Sequence, residues 1–145
     1  MPNEKSDPAA VSARNSGRSL WTSPEREIDV GKRLVRVRFG RKVSETAIAA
    51  YAMWLRANPD FDPSFSEIVD LRQVEQFDLQ GDDMLKLADQ VDPFSPNSKR
   101  AFVAGNTEQK YAAKMHKLLR ASKENFRICQ TMDEAERWVL TGSTK

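Results

Sequence analysis

Three small sets of residues have the side-chain chemistry to act on a substrate. His116 and Cys129 are the chain's one imidazole and one thiol. A Cys-His nucleophile would need them within hydrogen-bond reach. Cys129 falls in an apolar strand-like run, where a thiol more often packs as a small core residue, and His116 falls at the margin of a basic helix face, where a solvated ring is the default. Asp78, Asp82 and Asp83 could gather carboxylates at one helix start and attract Mg²⁺ or Ca²⁺. Acids there also favour the helix dipole and cap its free N–H groups, which is the stronger reading. Gly105 and Asn106 stand where a strand gives way to a helix, a place that can receive an anion.

The usual signatures of catalysis are missing. There is no G-x-G-x-x-G, no P-loop, no metal-spaced Cys/His set and no serine nucleophile elbow. The expectation is therefore a protein that is not an enzyme and needs no cofactor or metal.

Charge is more distinctive than any single residue. The chain carries a net +2 over 145 residues, too close to balance for wholesale nucleic-acid binding. Its distribution is uneven. Asp60 to Asp92 holds ten acids against Arg72 and Lys86, whereas Lys99 to Arg127 holds eight bases against Glu108 and Glu124. Such opposite patches can steer a charged partner or a second copy of the chain. A further basic group, with Arg36 and Arg38 in it, lies on an early strand and is a candidate anion or ligand contact together with Gly105 and Asn106.

The elements that must position these residues follow from periodicity. Residues 1–23 are polar with no apolar period and read as a disordered tail; 142–145 read as a second short tail. Glu27 to Val30 and Leu34 to Phe39 read as a hairpin turned at Gly31-Lys32 in a type II′ loop. Val35, Val37 and Phe39 share one face, with Leu34, Arg36 and Arg38 on the other. Ser44 caps a helix to about Ala57, ended by Asn58-Pro59. Ile68-Val69-Asp70-Leu71 is the kind of run found in a strand covered on both faces. A second helix follows Asp78, with Met84, Leu87, Ala88 and Val91 on one side, and stops before Pro93.

Ala101 to Ala104 form another strand. Asn106 and Gln109 then make a capping box for a helix whose apolar side runs through Tyr111, Met115, Leu118 and Leu119, opposite Lys110, Lys114 and Lys117. Phe126 to Cys129 form the last strand, and Thr131 with Glu134 caps a last helix packing Ala135, Trp138 and Val139. The order is β-β-α-β-α-β-α-β-α: one α/β domain over 24–141, with a small, mostly parallel sheet and helices packed on it. No apolar run approaches the roughly 20 residues that cross a bilayer, and the single cysteine fits a reducing, cytoplasmic setting.

The segment Val69 to Leu85 reads V-D-L-x-x-V-x-x-F-D-x-x-G-x-x-x-L. It resembles the central signature of the STAS family of anti-sigma-factor antagonists, and the element order is similar to STAS and SEC14-like proteins. The resemblance implies a regulatory module that binds a protein partner through the second helix and adjoining loops, at Asp78, Gln80, Gly81, Asp82 and Asp83, with a homodimer as a further option. Its SEC14-like side implies instead a domain that holds a small molecule or lipid. In the antagonists the loop reads Asp-Ser-Ser-Gly and one serine is phosphorylated. Here it reads Asp78-Leu79-Gln80-Gly81, so no hydroxyl is available and that switch is not expected.

Overall fold

The computed structural model describes residues 25–79, 92–118 and 123–142. The elements are β1 (Glu25–Asp29), β2 (Leu34–Arg38), β3 (Lys42–Ser44), α1 (Glu45–Ala57), β4 (Ser66–Asp70), β5 (Gln76–Asp78), β6 (Arg100–Val103), α2 (Thr107–Leu118), a 3₁₀ turn (Lys123–Asn125), β7 (Phe126–Cys129) and α3 (Met132–Thr141). Five strands form one sheet in the order β1-β2-β4-β6-β7, parallel except for the antiparallel β1-β2 pair. The mixed, mostly parallel α/β sheet is as the sequence leads one to expect. The tail 1–23 and the helix expected after Asp78 lie outside the described residues.

Alternation along the strands divides the core in two. Val35, Val37, Val69, Phe102 and Phe126 face the side covered by α1 and α2, where Tyr51, Leu55 and Ala113 pack on them. Leu34, Ile68, Ala101, Val103 and Cys129 face α3 and meet Ala135, Trp138 and Val139. β4 sits at the centre of the sheet, which is why its run is apolar on both faces. The caps are as read from the sequence: Ser44 accepts from Ala47 N, Thr131 accepts from Glu134 N, and Asn106 accepts from Gln109 N.

Four local features differ from the sequence reading. The hairpin loop is not Gly31-Lys32, because Asp29 pairs with Leu34 and the connection spans Val30 to Arg33. Asp29 accepts from Lys32 N, Arg33 N bonds to Val30 O, and the positive φ falls on Arg33 rather than on glycine. A short parallel pair, β3 with β5, was not expected: each strand has three residues, too few to show a period. It puts Asp78 in a strand, opposite Ser44 and 3.5 Å from Lys42 Nζ.

Helix α2 is also rotated from the expected setting. Gln109 and Ala113 are buried among its described side chains, while Tyr111 is exposed. The Gln109 amide is the cause: its Nε2 donates to Arg72 O and Val74 O and its Oε1 accepts from Gly105 N and Asn106 N, so this polar residue is drawn inward. His116 accordingly is only partly exposed. It stacks on Phe102 with ring centroids 5.0 Å apart and lies 5.5 Å from Phe126.

Candidate functional site

The cavity that stands out lies between α1, α2 and the sheet. It has a volume of about 100 Å³. Val43, Ile48, Val69, Phe77, Leu79 and Phe102 make an apolar wall, with each element supplying a residue by local necessity. Val43 and Phe77 face one another because β3 and β5 pair in parallel at that register. Ile48 is one turn into α1 from the Ser44 cap, on the same stripe as Tyr51, Ala52 and Leu55. Val69 and Phe102 are partners across β4 and β6.

One end of the cavity is polar and buried. Glu67 on β4 and Arg100 on β6 are register partners on the same face, and both are nearly inaccessible. Arg100 Nε donates to Glu67 Oε1 at 2.7 Å, and Tyr51 donates its hydroxyl proton to Glu67 Oε2 at 2.7 Å. Arg100 Nη1 also reaches Asp92, and its guanidinium lies 4.6 Å from the centre of the Phe94 ring. Burial pushes the Tyr51 hydroxyl well above the ordinary phenol range, and the Glu67 charge adds to it. Burial alone would lower the Arg100 pKa, but Glu67 and Asp92 outweigh it and hold the guanidinium charged. A buried ion pair needs all its partners in place, so these four residues form one unit. Sequence reasoning missed it because Glu67 and Arg100 are 33 residues apart and read as ordinary surface charges.

The residues singled out from the sequence are dispersed. Arg36 turns to Glu136 at 3.1 Å and lies 3.6 Å from both Glu27 and Asp29, tying α3 to the hairpin. Burial of Arg36 is outweighed by these acids, chiefly Glu136, so its pKa is raised. Arg38 donates to Asp70 Oδ2 at 3.1 Å. The N–H groups of Gly105 and Asn106 go to Gln109 Oε1, so the α2 start is capped from within the chain. Asp78 is exposed on β5, while Gln80, Gly81, Asp82 and Asp83 lie outside the described residues.

The thiol and the imidazole are on opposite sides of the sheet. Cys129 packs with the α3 cluster, whereas His116 stacks on Phe102 and Phe126 of the other. Burial pushes the Cys129 thiol up to about 11, with Glu134 adding to the effect, so the thiolate is suppressed where a nucleophile would require it. Among the described residues no group of three His, Cys, Asp or Glu side chains is placed to hold a metal, and no helix is long and apolar enough to cross a membrane.

No family model and no curated protein matches the chain. Among solved structures it is similar to an uncharacterised protein of the DUF3478 family, with a SpoIIAA-like fold, from Shewanella loihica PV-4. The TM-score is 0.59 at 14% identity, over 86% of this chain and 99% of that one. At this identity the likeness concerns the fold: a SpoIIAA-like, that is STAS-like, α/β arrangement.

Proposed function

We propose that the chain is a non-catalytic binding module that takes a small, largely apolar molecule into the cavity between α1, α2 and the sheet. The observation that carries this reading is the combination of an apolar wall with a closed polar unit, Tyr51-Glu67-Arg100-Asp92, at one end. Apolar pockets with a few convergent polar groups are where small molecules bind. The cavity, at about 100 Å³, is of the order of the engineered ~150 Å³ apolar cavity that accepts benzene. Its occupant is thus one ring or one short branched chain, or that part of a larger ligand, and not a whole lipid. Separation of Cys129 from His116 supports the non-catalytic half of the reading.

The test is titration with a one-ring apolar probe, fluorobenzene, followed by its fluorine NMR signal, comparing the wild type with Ala112→Phe, which fills the cavity from α2. Saturable binding of fluorobenzene in the wild type and its loss in a folded Ala112→Phe protein is the expected result. Equal signals from both would remove the cavity from the account.

A protein partner at Asp78 and the segment 80–83 is a second proposal, as is a cytoplasmic setting. The Asp78 side chain is 58% exposed and lies between Phe77 and Leu79, which both line the cavity, so a partner docked there would cover its wall. An affinity pull-down with wild type and Asp78→Lys tests it: a partner captured only by the wild type is expected, and the same captured set from both would count against it.

A further inference from the structure

We propose that Arg38 and Arg72, held together on the buried carboxylate of Asp70, form a binding site for a phosphate monoester. Asp70 is the last residue of the central strand β4, and its side chain is 3% exposed. Its Oδ2 accepts from Arg38 Nε at 3.1 Å and from Arg72 Nη2 at 3.0 Å, while Oδ1 accepts from Arg72 Nε and Arg72 N, both at 3.0 Å. Two guanidinium groups are therefore anchored on one carboxylate and share its Oδ2. Their outer parts reach solvent, with the Arg38 and Arg72 side chains 43% and 41% exposed.

Charge and geometry both favour an anion at this point. Two like charges are pressed together and one buried carboxylate offsets only one of them. Among the described residues the other acid within ion-pair distance of the pair is Glu25, 3.8 Å from Arg38 Nη1 and 74% exposed, a contact that water and salt screen strongly. Neighbouring Arg36 is committed to Glu136, Glu27 and Asp29 and adds little. Both Nε groups are turned to Asp70, which fixes each guanidinium plane and leaves N–H donors on the outer edges. A doubly charged, three-oxygen group matches two adjacent guanidiniums better than a singly charged carboxylate does.

The location is also the one where open α/β sheets hold ligands, outside the carboxyl ends of parallel strands. Gly105, just beyond β6, lies beside the pair: a Cβ there would sit 3.7 Å from Arg72 Cγ. The site is on the α3 side of β4 and at its end, away from the cavity on the other face, and the two readings stand or fall separately.

The experiment is a titration of the full chain, followed by NMR through the arginine Nε–Hε and backbone amide signals, with phenyl phosphate, inorganic phosphate and benzoate as probes. Expected is saturable movement of the Arg38, Arg72 and Gly105 signals with phenyl phosphate, weaker movement with benzoate, and affinity at least tenfold lower in Arg72→Gln and in Arg38→Gln. Arg41→Gln, which removes an exposed arginine paired to Glu75 elsewhere, should leave binding unchanged. If Arg72→Gln does not fold, Arg38→Gln decides alone, since Arg38 gives Asp70 a single bond. Absence of saturation, equal affinity for benzoate, or binding that survives both substitutions would overturn the proposal, and binding of inorganic phosphate alone would overturn the ester.

Discussion

Tyr51 on α1 and Glu67 on β4 are joined by a 2.7 Å hydrogen bond from the phenol to the carboxylate, inside a core where both are almost wholly screened from solvent. The same carboxylate takes Arg100 on its other oxygen. One side chain thus links a helix and two strands at the polar end of the cavity.

Tyr51→Phe keeps the ring and deletes one bond to a charged group, which should cost about 2 kcal/mol. Glu67→Gln leaves the buried Arg100 guanidinium short of its charge partner and should cost more, about 3 kcal/mol. Urea unfolding with an unchanged m-value checks both. A loss in Glu67→Gln smaller than in Tyr51→Phe would show that Arg100 is not held by Glu67.

Stability should fall in acid through Asp70. Burial would raise its pKa, but the hydrogen bonds from Arg72 and Arg38 outweigh it and hold the carboxyl below its ordinary value. A carboxylate depressed in the folded state contributes stability in full above its unfolded pKa, about 4, and loses it as pH falls through the folded value. Asp70→Asn should therefore be less stable than wild type at pH 7, and the gap should narrow below about pH 4. A gap that stays constant from pH 7 to pH 2 would count against this pairing.

Cys129 should resist thiol reagents. With its pKa raised to about 11 and its side chain buried, alkylation by iodoacetamide at pH 8 should follow unfolding rather than the native thiol. Labelling in buffer as fast as in denaturant would contradict the burial.

Gly142 ends α3 with φ +76° and its N–H donates to Trp138 O. Gly142→Ala forces a Cβ into the left-handed region and should cost about 1 kcal/mol, read as a lower melting temperature. The new Cβ meets Lys99 Nζ at 3.4 Å, a flexible end that can move away, so strain in φ is the main term. An unchanged melting temperature would mean that the helix end relaxes.

How far the sequence could be read depends on distance along the chain. Caps at Ser44, Asn106 and Thr131, and the alternation in β2 and β4, are written within a few residues, so they were legible. Gln109 shows the limit: its place as a cap was visible, but not that Arg72 O and Val74 O, more than thirty residues away, would pull its amide inward and turn Tyr111 to solvent. Arg38 was legible as part of a basic group on an early strand and a candidate anion contact, yet its neighbour Arg72 was hidden in an acidic stretch until Asp70 brought the two together. Glu67 and Arg100 were illegible for the same reason, since only the parallel register of β4 and β6 makes them partners.

The cavity carries the proposed function, and native mass spectrometry of the chain purified from its own host tests it most directly. Expected is a retained small molecule in the wild type that is absent from a folded Ala112→Phe protein. A clean apo mass in every preparation, together with no saturable binding of fluorobenzene, would contradict it.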